Sequence, residues 1–259
     1  MKFFSKWKSR RHRPLRALQR IEDSIKLLHR SSAVGPDGIF TFPILGEQVQ
    51  LYIPYHRFDY IQSEIILKSD FFEGELLRYI RDKYLTNQDR KLVIADIGGN
   101  IGNHAVFFGK FCNAVVYSFE PQREIFRILE KNMTLNGIDA RIYNVAIGQK
   151  EGFARISRYI PTNIGGTSLQ ETSKTSDIKV LPLDFFNITP DLIKIDVEGF
   201  ELKVIEGSTE TLRKSNPLLW IETFPDKFDQ TFSILKTMGY DLIEDLGEFN
   251  YIFKRKNSN

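Results

Sequence analysis

The sequence predicts an α/β domain with a doubly wound, mainly parallel sheet, starting near Lys91 and preceded by a helical and hairpin extension. Three observations predict it. From residue 91, short apolar strands alternate with helical stretches, the rhythm of strand–helix–strand crossovers. A glycine-bearing turn, Ala95–Gly102, follows the first of those strands and opens a helix. Acids then stand at or just past the ends of strands, the edge where such sheets bind ligands.

The elements follow in order. Leu92–Ile97 is an apolar strand and Ile101–Phe111 a helix. Val115–Phe119 is the second strand. Arg123–Asn136 is a helix with Ile125, Phe126, Leu129 and Met133 on one side, stopped by Asn136-Gly137. Ala140–Ile147, Ile178–Leu183 and Leu192–Ile195 read as further strands. A helix starts at Glu201, Leu218–Ile221 is a strand, and Phe228–Met238 is a helix closed by Gly239. Tyr240–Ile243 and Asn250–Phe253 are the final strands. Asn163, Gly165, Gly166, Thr167 and Ser168 form a polar stretch open to two readings, a substrate loop or lid and an ordinary exposed loop.

The body accordingly divides into residues 36–90 and 91–259. In the first, Gly35-Pro36-Asp37-Gly38 is a turn, Ile39–Phe42 and Gln48–Ile53 pair as a hairpin, and Ile61–Leu67 and Phe71–Leu85 are helical. Residues 1–35 are a basic tail and an amphipathic helix. Residues 1–30 carry ten Lys/Arg against two acids, a net of +8, which leaves −5 for the rest of a chain whose total is +3. That asymmetry argues against a uniformly basic nucleic-acid-binding surface. Phe3, Phe4 and Trp7 interleave with the basic residues, and Leu15, Leu18, Ile21, Ile25 and Leu28 recur at helical spacing. Such a segment fits peripheral contact with anionic lipid or an acidic partner. It also fits a helix packed on its own domain or on a second copy in a homo-oligomer, the commoner use of such a stripe. No apolar run is long enough to span a membrane, and the N-terminus lacks a signal-peptide core. With a single cysteine, Cys112, the expectation is a cytoplasmic protein, or one held at the inner face of the membrane.

The turn Asp96-Ile97-Gly98-Gly99-Asn100-Ile101-Gly102 is the sharpest local signal. Gly98 and Gly102 allow a tight bend and close approach to a ligand. It is not the dinucleotide fingerprint, because Asn100 and Asn103 stand where glycines would be needed. The acid beside the turn, Asp96, suits an ammonium-bearing ligand better than a phosphate. Glu120 ends the second strand, 22 residues past Gly98, where an acid accepts the hydroxyls of an adenosine ribose. Pro121 then starts a helix. A ribose acid, no phosphate cradle and an acid at the turn together describe adenosine carrying an amino acid, which is S-adenosylmethionine.

Asp96–Gly102, Phe119-Glu120-Pro121, Asn144-Val145-Ala146-Ile147-Gly148, Leu183-Asp184 and Leu192–Glu201 occur in the order and at the spacing of one known family. Over roughly residues 70 to 222 the chain resembles the FkbM-type methyltransferases. The resemblance implies a class I methyltransferase (Rossmann-like) fold with a seven-stranded sheet. It also implies O-methylation of hydroxyls on sugars, polysaccharides or macrolide-like natural products. It assigns cofactor contacts to Asp96, Gly98, Gly99, Asn100, Gly102, Glu120, Pro121 and Ala146. Gly99 departs from the usual Ala without blocking the site.

A sugar hydroxyl is a poor nucleophile and needs a base as the methyl moves. Asp196, just past a buried strand, is the first candidate and His104 the second, with Glu198 beside them. Asp196, Glu198 and Glu222 also offer oxygen ligands for Mg²⁺ or Mn²⁺, although Glu198 equally suits a purely structural turn with Gly199. Lys194, inside the strand, is expected to point to the sheet end or to pair with an acid such as Asp184. A nucleic-acid methyltransferase is disfavoured by Asp-Val-Glu-Gly where base-amine enzymes carry a proline turn. A nicotinamide-dependent dehydrogenase is disfavoured by the missing fingerprint.

Overall fold

The computed structural model describes residues 22, 24–28, 30–86 and 89–256, in two compact units, Met1–Phe72 and Glu73–Asn259. Most of the basic tail lies outside the described residues. Within it, residues 24–28 are helical and turn Ile25 and Leu28 to solvent. No helix of the described residues is long and apolar enough to cross a membrane.

The first unit is built on the antiparallel pair β1 (Ile39–Ile44) and β2 (Glu47–Tyr52). Leu45 and Gly46, both at positive φ, make the two-residue turn that matches strand twist. Phe40, Phe42, Val49 and Leu51 are buried, and Phe42 meets Phe71 edge-on. Helix α1 (Tyr60–Lys68) is capped by Asp59, whose carboxylate accepts from Gln62 N at 3.0 Å.

The second unit begins at Glu73, the N-cap of α2 (Gly74–Ile80), so this helix belongs with the sheet rather than with the hairpin. It starts at Gly74, not at Phe71, and continues as a π-helical turn, Arg81–Leu85. Then come β3 (Leu92–Ile97), α3 (Asn103–Phe111), β4 (Ala114–Phe119), α4 (Arg123–Asn136), β5 (Ala140–Tyr143), β6 (Ala146–Ile147), β7 (Gly152–Arg158), β8 (Ser168–Thr172) and β9 (Ile178–Leu181). The chain ends with β10 (Leu192–Ile195), α5 (Glu201–Glu206), α6 (Thr209–Ser215), β11 (Leu218–Glu222), α7 (Pro225–Thr237), β12 (Tyr240–Gly247) and β13 (Asn250–Arg255).

Seven strands form one sheet in the order β12-β13-β11-β10-β3-β4-β5, with only β13 antiparallel to both its neighbours. From β3 the chain winds outward through β4 to β5, then returns to lay β10 and β11 on the other side. Order thus reverses between β3 and β10, which is where such sheets take ligands. The inner strands are apolar on both faces because both are covered. One face buries Ala95, Ile97, Ile193, Ile195, Leu219 and Ile221 against Val204, Ile205, Leu212 and Leu235 of α5–α7. The other carries Asp96, Lys194 and Trp220 in one register row, beneath Phe108 and His104 of α3.

Three strand readings need correction. Ala140–Ile147 breaks after Tyr143, because Asn144 leaves the strand to donate to the Glu120 and Pro121 carbonyls at 2.8 and 3.1 Å. Ile178–Leu181 pairs outside the main sheet, in a four-stranded sheet of order β6-β9-β7-β8. Gly152–Arg158 and Ser168–Thr172, unforeseen, form its hairpin. The polar stretch after Asn163 connects these two strands. It carries a 3₁₀ turn at Ile164–Gly166 capped by Asn163, and Ile164 and Thr167 are buried, so it is anchored rather than loose. The helix expected from Ile101 begins at Asn103, since Gly102 at φ 83 holds the preceding bend. On α4, Ile128 rather than Phe126 completes the buried stripe.

Glu244 of β12 ties α2 to the sheet. It accepts from Tyr79 and Tyr84 hydroxyls and from Lys83 Nζ at 2.9 Å. Burial works against its charge, but the bonds from Lys83, Tyr79 and Tyr84 prevail and hold its carboxyl down at about 2. A depressed folded-state value stabilises above the ordinary carboxylate range and loses that effect as pH falls toward about 2. Glu244→Gln should lower the melting temperature by about 2–4 °C at neutral pH. In thermal unfolding followed by circular dichroism, the gap from wild type should narrow in acid.

Candidate active site

The crevice at the carboxyl ends of β3, β4, β10 and β11 is closed by glycines. Gly98 has φ 85, and a Cβ there would lie 1.8 Å from the Asp196 carbonyl oxygen, so β3 and β10 meet at this point with room only for hydrogen. Gly98 N and Gly99 N both donate to Phe119 O at 3.0 Å, fastening the turn to β4. A Cβ on Gly99 would stand 2.1 Å from Ser118 Oγ. Glycine here is therefore the partner of Ser118, whose hydroxyl donates to Asp96 Oδ2 at 3.2 Å.

Asp96 is wholly buried, and its Oδ1 has no hydrogen-bond partner. A buried carboxylate oxygen left unpaired costs folding free energy and marks a place where a donor belongs. Glu120 is the second acid of the turn. Its Oε2 accepts from Asn100 N at 3.0 Å and its Oε1 from Gln122 N at 2.7 Å, so Asn100, at φ 48, and the chain after Pro121 grip it from both sides. Burial raises the Glu120 carboxyl to about 7 against those two bonds, with Asp96 and Asp196 adding to the rise. Ile164 of the anchored loop accepts from Gln122 Nε2 at 3.4 Å, which brings that loop beside Glu120. Asp96, Gly98, Gly99, Asn100, Gly102, Glu120 and Pro121 thus surround one turn. Ala146 is buried and packs with Ala154, Ile178 and Val180 in the core of the four-stranded sheet, two residues after Asn144, which donates to the Glu120 and Pro121 carbonyls.

Across the crevice stands Lys194, 2 % exposed, with Nζ 2.9 Å from Asp196 Oδ2 and 5.7 Å from the Trp220 ring centroid. Burial opposes its charge, but Asp196, Asp96 and Glu73 outweigh burial and lift the ammonium above the ordinary lysine value. The expected partner Asp184 is elsewhere: it accepts from Glu210 N, Thr211 N and Thr211 Oγ1 at 2.7–3.0 Å, capping the start of α6.

His104, the second residue of α3, packs edge-on to Trp220, and its Nε2 is 3.0 Å from Glu73 Oε2. Asn250 Nδ2 donates to Glu73 Oε1 at 3.4 Å, and Trp220 Nε1 donates to Asn250 Oδ1 at 2.6 Å. Burial pushes the Glu73 carboxyl up, yet the bond and charge of His104, the charge of Lys194 and the Asn250 bond together hold it below the ordinary range. Glu73 and Asn250 were not foreseen, because nothing local in the sequence links either to His104.

Glu198 and Glu222 complete the acidic rim. Glu198 sits at φ 51 before Gly199 at φ 100, and Glu201 accepts from Gly199 N at 2.7 Å, so these residues do shape the turn into α5. Burial, then Asp196 and Glu201, push Glu198 to about 7. Burial, then the Asp196 charge, push the Glu222 carboxyl well above the ordinary carboxylate range against Lys194. Among the described residues no group of three or more His, Cys, Asp and Glu is arranged to hold a metal ion. The expected Mg²⁺ or Mn²⁺ set of Asp196, Glu198 and Glu222 is thus not assembled; the cation beside Asp196 is Lys194. Cys112 is buried, and its thiol is driven up to about 12 by burial, which removes it as a nucleophile.

A model of the FkbM methyltransferase domain matches residues 96–242. The hexuronic acid methyltransferase AglP of Haloferax volcanii is 31 % identical over 134 residues, 48 % of this chain and 53 % of that protein. A protein named Methyltransferase 1, of Beauveria bassiana, is 25 % identical over 143 residues, 44 % and 57 % of the two chains. The chain spans about half the length of the curated relatives it matches. Among solved structures, the 16S rRNA methyltransferase RsmC of T. thermophilus, in complex with AdoMet and guanosine, superimposes with a TM-score of 0.50. That match is at 12 % identity over 85 % of this chain and 50 % of that one. The shared fold is that of class I methyltransferases.

Two measurements probe the electrostatics. Lys194→Met leaves three acids around a buried position without their cation, and chemical denaturation should register a loss of about 3–5 kcal/mol. In calorimetry with S-adenosylhomocysteine, affinity should increase as pH rises through about 7, the value to which burial raises the Glu120 carboxyl. In Glu120→Gln that slope should vanish along with about tenfold or more of the affinity.

Proposed function

The chain belongs to the FkbM methyltransferase family, and from that premise we propose that it transfers the methyl group of S-adenosylmethionine to a hydroxyl of a sugar. The observation that carries the cofactor half is the glycine turn between two buried acids. Asp96 Oδ1 is unpartnered, and Glu120 is aimed by Asn100 and Gln122. These residues fit the ligand: Glu120 would take the ribose hydroxyls, and Asp96, Gly98 and Gly102 would accommodate the amino-acid portion. The bound cofactor supplies an electrophilic methyl on a positively charged sulfur. The acidic rim favours that charge without forming a bond to it.

The protein's own work is to hold the acceptor hydroxyl and take its proton. His104 is the better-built base. It meets Glu73 through Nε2, which leaves Nδ1 as the ring atom for the acceptor's proton. Asp196 has one oxygen already engaged by Lys194 at 2.9 Å. Its other oxygen remains to orient the hydroxyl, so Asp196 positions while His104 deprotonates. Glu222, at the tip of β11, offers its carboxyl to a second hydroxyl of the acceptor. The sugar class is supported by the relative from Haloferax volcanii, whose name specifies a hexuronic acid. A nucleotide-linked sugar or a surface-glycan precursor fits the reading equally.

The test is incubation of the purified chain with S-adenosylmethionine and a panel of nucleotide sugars and uronic acids, followed by mass spectrometry. Gain of one methylene on a sugar supports the reading; binding of NAD in place of S-adenosylhomocysteine overturns it. With an acceptor in hand, His104→Gln should lower kcat about 10²–10⁴-fold while leaving S-adenosylhomocysteine affinity intact. Asp196→Asn should raise KM for the acceptor more than it lowers kcat.

A further inference from the structure

We propose that Phe224 and Phe249 form the platform on which the acceptor's sugar ring lies, an inference that rests on the sugar reading above. Phe224 follows Glu222 and Thr223 off the tip of β11 and is the N-cap of α7. Phe249 stands in the turn between β12 and β13. Because β13 runs antiparallel to β11 with Asn250 opposite Glu222, that turn sits at the same end of the sheet as the acids. Thr223 N donates to Phe249 O at 3.0 Å and fastens the two segments together. The two rings lie 5.6 Å apart at 54°.

Both rings are open to solvent, Phe224 at 36 % and Phe249 at 41 %, whereas the side chains of Tyr240 and Phe253 on the same strands are wholly buried. Phe249 is displayed at the tip of a tight turn: Glu248 and Phe249, at φ 48° and 67°, form the two-residue connection between β12 and β13. Asn250 Nδ2, donating to Glu248 O at 3.2 Å, helps keep them there. The same Asn250 contacts Glu73, which holds His104. The turn that displays the Phe249 ring is thus tied through Asn250 and Glu73 to His104.

The surroundings select the occupant. A pyranose has a face of C–H groups bounded by hydroxyls. The ring faces of Phe224 and Phe249 carry partial negative charge that suits the C–H face. Glu222, two residues before Phe224 and opposite Asn250, places a carboxyl at the same strand tip for the hydroxyl rim. Two exposed rings at the strand tip that carries Glu222 make a small apolar area next to a carboxyl, a match for a polyhydroxylated ring rather than for an apolar protein surface.

Saturation-transfer NMR on the full chain tests this with methyl β-glucuronide and methyl β-glucoside as probes. The wild type should saturate the ring C–H protons of at least one probe. The double variant Phe224→Ser/Phe249→Ser, checked for unchanged melting and S-adenosylhomocysteine affinity, should lose that signal, and Phe249→Trp should keep it. With a turned-over acceptor, the double variant should show KM raised about tenfold and kcat within about twofold of wild type. Saturation in the wild type that survives in the double variant overturns the platform alone. Absence of saturation by either probe in the wild type overturns the sugar reading itself, and the platform with it. If the double substitution instead shifts sedimentation from dimer to monomer and spares sugar binding, the rings serve a second copy and the platform is overturned.

Discussion

A single buried ammonium organises the carboxyl end of this sheet. Lys194 is placed inside β10 with its Nζ on Asp196, and the charges of Asp96 and Glu73 bear on it from the neighbouring strand and helix. Four strand and helix ends that each carry an acid would repel one another in a low-dielectric crevice. One cation at their centre turns that repulsion into mutual attraction, and it fixes which carboxylates ionise. Glu73, with His104 and Lys194 near, is held below the ordinary carboxylate range; Glu222, which burial and three carboxylates oppose, is pushed above it. Buried ion pairs contribute little net stability against apolar replacements. Retention of this one is therefore better explained by the site than by the fold.

The second constraint is steric. Gly98 lets β3 and β10 touch at the strand-order reversal, and Gly99 makes space for the Ser118 hydroxyl that satisfies one oxygen of Asp96. The serine on the next strand and the glycine are therefore one unit. An alanine here would collide with the group that leaves Asp96 Oδ1 as the unpaired oxygen.

What was legible in the sequence was what is local. The turn Asp96–Gly102, the acid at Glu120 and the strand–helix alternation depend on residues a few positions apart, so periodicity and glycine spacing expose them. What was hidden depends on long-range contact. Glu73 meets His104 across 31 residues and Asn250 across 177, and no local pattern joins them. The pairing of β9 with β6 and β7 was equally hidden, because an apolar run states that a strand is buried but not in which sheet. The expected metal set failed for the same reason. Three acids at strand ends read as ligands until the lysine two residues before Asp196 is seen to turn inward rather than toward Asp184.

The protonation states divide the crevice into two halves with different tasks. On the β3–β4 side, Glu120 lies near its ionisation point at neutral pH and is surrounded by backbone N–H groups that favour its charged form. It can gain a full charge as ribose hydroxyls arrive. On the β11–β13 side, burial and the Asp196 charge push the Glu222 carboxyl up, so it takes a charge less readily than an ordinary carboxylate. Between them, the Lys194–Asp196 pair and the Glu73–His104 pair each join an acid to a base, but in opposite senses. In the first pair the cation already holds its proton and has none to accept. In the second, the imidazole meets the carboxylate through Nε2 alone, and its other ring nitrogen is left for a second partner. On the reading proposed above, the acceptor's proton goes to that nitrogen, and the position of His104 at the start of α3, directly after the glycine turn, is what makes the reading geometrically coherent.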